Sequence, residues 1–304
     1  MANMICGHWE DEMAPDEVAS KSRLLDNPHS FRGTIPPEDF EPGRYHLFAA
    51  WTCPWAHRAL LTRALKGLED AIPVHLANDP SGGHSWRFSE PCEAPHGETH
   101  LFQIYVEADP TYTGRVTVPV LWDSHEHRII NNESADLIQI LDGLPSERPS
   151  LRPPELLEEI EAWNRRMLPT LNSGVYRAGY AKDQEAYDKA IRGVFGMLDT
   201  LEEHLADREW IVGDRLTEAD VRFFVSAFRF DGAYVPYFRC NLRHFSTYPN
   251  LVAHMHRMLR TPGVRSTCNL EAMRRGYGAM EAINPSGIVP AGPATALPPE
   301  MLEA

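Results

Sequence analysis

Residues 45–65 read YHLFAAWTCPWAHRALLTRAL, and this stretch decides the fold of the N-terminal part of the chain. Its first residues alternate along the chain as a strand does, whereas apolar residues from Trp55 onward recur with the 3.6-residue period of a helix. Cys53 and Pro54 lie at the junction, and proline fits the first helical position because its missing N–H is not needed there. The stretch therefore predicts a strand, a cysteine and a helix in direct succession.

Cys53 is thus expected at the N-terminus of a helix. Unpaired backbone N–H groups and the helix dipole stabilise an anion there, which lowers a thiol pKa and favours the thiolate. The residue three positions later is Ala56 rather than a second cysteine, so a mixed disulfide at Cys53 needs an external thiol for its release. This favours chemistry on glutathione. The alternative is a buried, unreactive cysteine, which is the commonest fate of a free thiol.

The remaining pattern predicts two domains of different class. A second strand near 72–76 makes a β-α-β unit, and the strand-like 116–122 contains Pro119, which indicates an edge strand or a cis peptide. The Gly/Ser/Pro-rich 78–97 reads as a long loop and a candidate binding element. A helix is predicted from Asn132 to Leu141. After residue 154 the periodicity is almost wholly helical. One predicted helix has an apolar face formed by Tyr187, Ile191, Val194, Leu198, Leu201 and Leu205, and another begins at the capping-box sequence TEAD at 217–220. We predict an α/β thioredoxin-like N-terminal domain followed by an all-α C-terminal domain. The predicted boundaries are 1–42 for an N-terminal extension, 43–145 and 146–270 for the two domains, and 271–304 for an extended tail.

Composition narrows the function classes. The 304 residues include 29 Lys and Arg against 43 Asp and Glu, a formal charge of −14 that argues against nucleic-acid binding. No apolar stretch approaches the 18 or so residues of a membrane-spanning helix, and no secretory signal is visible. Five widely spaced cysteines indicate a reducing cytoplasm rather than a disulfide framework. The histidines lack metal-ligand spacing and no phosphate-binding glycine motif occurs, so neither a metal nor a tightly bound cofactor is expected.

Several segments together resemble one known family. They are LFAAWTCPWAHRALLTRALKGLE at 47–69, GRVTVPVLWD at 114–123, IINNESADLI at 129–138, NSGVYRAGYAKDQEAYDKA at 172–190 and INPSGIVPAGP at 283–293. The chain is similar in these segments to the Xi-class glutathione transferases, which are S-glutathionyl-hydroquinone reductases. The similarity runs from about Arg44 to Pro293, and an N-terminal extension is also expected of this class.

The resemblance implies a reaction and a set of residues. Cys53 would reduce S-glutathionyl-(chloro)hydroquinones through a mixed disulfide with glutathione, and a second glutathione would attack that disulfide and release oxidised glutathione. Glutathione is then a co-substrate. The implied glutathione-binding residues are Trp86, Arg115, Val118, Pro119, Glu133 and Ser134. The implied substrate-binding residues are Tyr176 and Tyr277.

Three other functions compete with this interpretation. One is a conjugating transferase that activates glutathione with a hydroxyl group, and another is an omega-like thioltransferase or dehydroascorbate reductase. The third is a non-catalytic glutathione-binding or scaffold module, in which the Cys53 thiol would keep an ordinary pKa of about 8.5. Transferases of this kind usually form dimers, so we also expect a homodimer. Its expected location is the cytoplasm, as the cysteine content indicates.

Overall fold

The structure is a computed structural model that describes residues 3–5, 7–10, 31–79, 86–88, 97–293 and 295–298. The chain divides into two compact units, one formed by residues 1–63 and 67–147 and the other by residues 64–66 and 148–304. The first unit is α/β and the second is helical, so the predicted fold class is confirmed. The finer boundaries at residues 42, 145 and 270 stay predictions.

The first unit contains eight strands and three helices among its described residues. The strands are β1 (Asn3–Ile5), β2 (His8–Glu10), β3 (Tyr45–Ala49), β4 (Val74–Asp79), β5 (Arg87–Phe88), β6 (Gly114–Arg115), β7 (Val120–Asp123) and β8 (Arg128–Asn131). The helices are α1 (Pro54–Leu65), α2 (Leu101–Ala108) and α3 (Ser134–Gly143). Five strands form the main sheet in the order β5-β4-β3-β7-β8, and β2-β1-β6 form a small second sheet.

The central strand β3 explains why residues 45–65 determine this unit. It pairs in parallel with β4 and antiparallel with β7, so Phe48 lies between His75 and Val120. Leu47 and Phe48 are fully buried, because β3 is covered on both faces. The parallel β3–β4 pair requires a crossover connection, and α1 supplies it. The end of β3 and the start of α1 therefore bring Cys53 to the edge of the buried core.

Local structure departs from the sequence-based expectation at four points. The second strand begins at Val74 rather than Ile72, and the strand expected over 116–122 begins only at Val120, after a cis Val118–Pro119 bond. The expected helix from Asn132 begins at Ser134. The helix α2 was not predicted, because its eight residues are too few for a clear period.

The N-terminal extension also has more structure than its sequence indicated. Strands β1 and β2 form an antiparallel hairpin, and β1 pairs with β6 through Met4 and Gly114. Such three-residue strands carry too few side chains to show an alternating pattern.

The second unit contains seven α-helices in the described part of the chain, together with short 3-10 and π-helical segments. They are α4 (Leu157–Met167), α5 (Gly174–Gly179), α6 (Gln184–His204), α7 (Glu218–Ala227), α8 (Val235–Phe238), α9 (Pro249–Arg260) and α10 (Leu270–Gly278). The amphipathic pattern that predicted α6 is confirmed, since Ile191, Val194, Leu198 and Leu201 are buried. Within the described residues, no helix is both long and apolar enough to span a bilayer.

The predicted capping box at the start of α7 is confirmed. The Asp220 carboxylate accepts hydrogen bonds from the Thr217 backbone N–H at 2.8 Å and from the Thr217 hydroxyl at 3.0 Å. It also accepts the Ile211 N–H at 2.9 Å and lies 2.8 Å from His254 Nε2. Through these contacts Asp220 connects the start of α7 to the segment around Ile211 and to α9, and all of these groups are buried.

Candidate active site

Cys53 is half-buried directly before α1 and takes the place of that helix's N-cap side chain. The backbone N–H of Ala56 points at Cys53 Sγ across 3.5 Å, and the Cys53 carbonyl accepts the His57 N–H at 3.0 Å. A donor N–H and the positive end of the helix dipole therefore face the sulfur. This is the environment in which a thiolate is stabilised, as the sequence predicted.

The cis Val118–Pro119 segment lies beside this sulfur. The Cys53 thiol donates to the Val118 carbonyl across 3.6 Å, and both Val118 and Pro119 are buried. The structure therefore brings Cys53 together with the first of the predicted glutathione-binding segments.

Glu133 and Ser134 form the N-terminus of α3. The Glu133 carboxylate caps this helix by accepting the Ala135 N–H at 3.1 Å, and the Ser134 hydroxyl donates to the same oxygen, Oε1, at 3.3 Å. The Glu133 N–H in turn donates to Asn131 Oδ1 at 2.8 Å. An N-terminus of this kind binds carboxylates well, because its first N–H groups lack partners within the helix.

Tyr105 joins these two segments and was missed from sequence. Its hydroxyl donates to the Thr117 carbonyl at 2.8 Å and accepts the Asn132 side-chain N–H at 3.2 Å. Tyr105 is fully buried, and burial raises the pKa of its phenol. The residue thus holds the loop before Val118 against the loop before Glu133. The available signal was the apolar i, i+3, i+4 spacing of Leu101, Ile104 and Tyr105.

Arg58 is a second residue that sequence reasoning left out. It lies on α1 with 1% of its surface exposed, and its guanidinium stacks on the Trp55 ring at 4.3 Å. Its Nη1 donates to Ser134 Oγ at 3.5 Å. An arginine within the apolar run AHRALL was the signal for it, because a buried charge needs a specific environment.

Trp86 and Arg115, two of the predicted glutathione-binding residues, differ in how far they are buried in the first unit. Trp86 is half-buried against the core, and its carbonyl accepts the Leu101 N–H at 2.9 Å. Arg115 is exposed at the end of β6, where it pairs in register with Asn3. The roles assigned to both residues from the family resemblance stay predictions. Most of the long loop expected at 78–97 lies outside the described residues.

Tyr176 and Tyr277 meet within the second unit. Their hydroxyl oxygens are 2.7 Å apart, although the two residues are 101 positions apart in sequence. Tyr277 is 1% exposed, whereas Tyr176 is half-buried. The Tyr234 ring lies 6.1 Å from each of them in edge-to-face geometry, and burial raises the pKa of its phenol. Tyr234 is therefore a third member of this tyrosine cluster that the sequence did not single out.

Cys240, Cys268 and the two histidines of α9 contact groups that have structural roles. Burial raises the pKa of Cys240 and of Cys268 to about 12, so both thiols are protonated at neutral pH. His254 faces Asp220, and His256 Nε2 lies 2.7 Å from the Ala296 carbonyl. No set of three or more metal-ligating side chains occurs in the part of the chain that the structure describes.

Comparison with known proteins agrees with this geometry. The family model described as glutathione S-transferase, N-terminal domain, matches residues 52–144, and that described as glutathione S-transferase, C-terminal domain, matches residues 184–257. A glutathionyl-hydroquinone reductase, PcpF of Sphingobium chlorophenolicum, is 46% identical over 309 residues, which cover 98% of each chain.

Two further relatives agree with that match. The glutathionyl-hydroquinone reductase YqjG of Escherichia coli is 41% identical, covering 96% of this chain and 95% of its own. A solved Xi-class glutathione transferase from Natrialba magadii superposes with a TM-score of 0.91 at 35% identity, covering 98% of this chain and 96% of its own. The chain therefore belongs to the glutathione transferase family, within the Xi class of glutathionyl-hydroquinone reductases.

Proposed function

We propose that this protein reduces S-glutathionyl-hydroquinones to free hydroquinones, with glutathione as the co-substrate. The observation that carries the proposal is the position of Cys53, whose sulfur faces the Ala56 N–H at the start of α1 with no second cysteine in the following turn. The full-length similarity to two glutathionyl-hydroquinone reductases supports the same conclusion.

The proposed reaction has two steps. In the first, the Cys53 thiolate attacks the sulfur of the conjugate, and the bond between that sulfur and the aromatic carbon breaks. The electron pair leaves with the aryl group, which takes up a proton and becomes the free hydroquinone, while Cys53 becomes a mixed disulfide with glutathione. In the second, a glutathione thiolate attacks this disulfide, so oxidised glutathione leaves and the Cys53 thiolate is restored. The aryl carbon is reduced by two electrons, and two glutathione sulfurs are oxidised.

Glutathione is proposed to bind along the segments that surround Cys53. The Val118 backbone, which precedes Pro119, pairs with the cysteinyl part of glutathione. Ser134 and its N–H bind the γ-glutamyl carboxylate, while Glu133 binds the γ-glutamyl amine. Glu133 keeps its observed capping bond to Ala135 in this scheme, since a carboxylate accepts several hydrogen bonds.

Four more residues complete the proposed binding of both substrates. Trp86 lies beside glutathione, and Arg115 pairs with one of its carboxylates. Tyr176 and Tyr277 bind the hydroquinone hydroxyl groups. The 2.7 Å contact between the two hydroxyl groups supports this assignment. It places two phenols side by side, and each can donate and accept a hydrogen bond. We further propose that the enzyme works in the cytoplasm as a homodimer.

The proposal is tested by incubating glutathionyl-hydroquinone and glutathione with the wild type, Cys53→Ala and Cys240→Ala. Chromatography should detect free hydroquinone and oxidised glutathione in equal amounts with the wild type and Cys240→Ala, and neither with Cys53→Ala. Conjugating activity that survives in Cys53→Ser would instead favour a hydroxyl-dependent transferase. Reduction of dehydroascorbate or small disulfides with no hydroquinone released would favour the omega-like alternative.

A further inference from the structure

Arg58 is a buried charged side chain that contacts Ser134, one of the proposed glutathione-binding residues. It lies on α1, one turn and a half beyond Cys53, and its side chain is held between the Trp55 ring at 4.3 Å and the Ser134 hydroxyl at 3.5 Å. Only 1% of Arg58 and 3% of Ser134 are exposed, so solvent screens this contact little.

The contact restricts what the Ser134 hydroxyl can do. A hydroxyl carries one proton and two lone pairs, whereas a guanidinium only donates. Because an Arg58 N–H occupies a lone pair of Ser134 Oγ, the single proton of that oxygen must point elsewhere. In the structure it points to Glu133 Oε1, which also accepts the Ala135 N–H.

A carboxylate that arrives at the start of α3 meets this proton. The ligand carboxylate is a stronger acceptor than Glu133 Oε1, because Oε1 already accepts the Ala135 N–H. Hydrogen bonds between a hydroxyl and a carboxylate are charge-assisted. Without Arg58 the Ser134 hydroxyl is free to rotate, and part of its population presents a lone pair to the ligand.

We infer that Arg58 is a positioning residue that fixes the Ser134 hydroxyl as a hydrogen-bond donor and thereby makes the site selective for the γ-glutamyl carboxylate of glutathione. This inference rests on the proposed placement of glutathione, and it assigns to Arg58 an effect that acts through the Ser134 hydroxyl. It predicts a loss of affinity confined to ligands that carry a γ-glutamyl group.

The test compares two ligands that bind without reacting, S-methylglutathione and S-methylcysteinylglycine, which lacks the γ-glutamyl group. Calorimetry measures the Kd of both for the wild type, Arg58→Met, Ser134→Ala and the double variant. Arg58→Met should bind S-methylglutathione about tenfold more weakly, equivalent to one charged hydrogen bond, and should bind the dipeptide as the wild type does. In the Ser134→Ala background, Arg58→Met should cause no further loss.

Arg63→Met is the matched control. It lies on the same helix, and its guanidinium donates to the Ile72 and Glu69 carbonyls. Its loss should therefore lower the melting temperature without changing the preference for the γ-glutamyl ligand. If Arg58→Met does not fold, Arg58→Gln and Arg63→Gln are compared instead, because an amide both donates and accepts hydrogen bonds and so does not fix the direction of the Ser134 proton.

Equal losses for both ligands, or additive effects of Arg58→Met and Ser134→Ala, would overturn the inference and leave Arg58 a purely structural residue. A wild type that shows no preference for S-methylglutathione would overturn it as well. Because neither ligand reacts, these results are independent of hydroquinone release, so failure of the proposed activity would be recognised separately.

Discussion

The Ala56 N–H faces Cys53 Sγ across 3.5 Å, and this one contact links the fold to its chemistry. It arises because β3 ends at Ala49 and α1 begins at Pro54, which leaves Cys53 as the residue that caps the helix. A sulfur in this position gains most when it is negatively charged. The residue that makes this contact is Ala56 and not a second cysteine, which is consistent with a monothiol enzyme that relies on external glutathione.

Differences in thiol reactivity follow from the surroundings of the cysteines. At pH 7, iodoacetamide should alkylate Cys53 while Cys240 and Cys268 remain unmodified, because burial raises the pKa of both to about 12 and keeps them protonated. Peptide mass spectrometry after a short exposure measures each site. Labelling of Cys240 or Cys268 as fast as Cys53 would contradict the assigned environments.

The Tyr105 phenol should control glutathione affinity without contacting the sulfur. Tyr105→Phe removes the hydrogen bonds to Thr117 and Asn132, so the two loops lose their common anchor. We expect the KM for glutathione to rise about tenfold and the free energy of unfolding to fall by about 1–3 kcal/mol. Tyr45→Phe is the control, because that buried phenol bonds to the Asp39 carbonyl instead. An unchanged KM in Tyr105→Phe would show that the loops hold their positions without it.

The tyrosine cluster should act on the hydroquinone and not on glutathione. Tyr277→Phe breaks the hydroxyl contact with Tyr176, so the KM for glutathionyl-hydroquinone should rise several-fold. Formation of the Cys53 mixed disulfide from oxidised glutathione should stay at the wild-type rate. Tyr237→Phe serves as the comparison, since the Tyr237 hydroxyl donates to the Arg274 carbonyl on α10, the helix that also carries Tyr277. Equal effects of Tyr277→Phe on both reactions would argue for a general structural role.

Asp220 should be far more important for stability than an ordinary helix cap. Asp220→Ala leaves the buried Thr217, Ile211 and His254 groups without their acceptor, so we expect a loss of about 3 kcal/mol or more in urea unfolding. Asp183→Ala removes the exposed N-cap of α6 and should cost about 1 kcal/mol. Similar losses for the two variants would contradict the role given to burial.

Sequence predicted those parts of the fold and of the site that depend on local order along the chain. The strand–Cys53–Pro54–helix succession and the capping box at Thr217 are short-range patterns, and both are confirmed. A proline inside a strand pattern indicated either an edge strand or a cis peptide, and the structure contains a cis bond at Val118–Pro119.

The parts that sequence missed depend on long-range contacts. Tyr105 and Arg58 act through residues that are 12 to 76 positions away, so no local spacing reveals their partners. Tyr234 joins Tyr176 and Tyr277 only because α10 returns to α5. The short hairpin β1–β2 is stabilised by pairing with β6, and three-residue strands have no detectable period of their own.

In the proposed reaction, Cys53 takes glutathione from the conjugate as a mixed disulfide. Intact-protein mass spectrometry after mixing the enzyme with glutathionyl-hydroquinone, in the absence of free glutathione, tests it most directly. We expect one glutathione adduct per chain, mapped to Cys53, absent in Cys53→Ala and lost when glutathione is added. Hydroquinone release without any adduct, or an adduct that persists in Cys53→Ala, would contradict it.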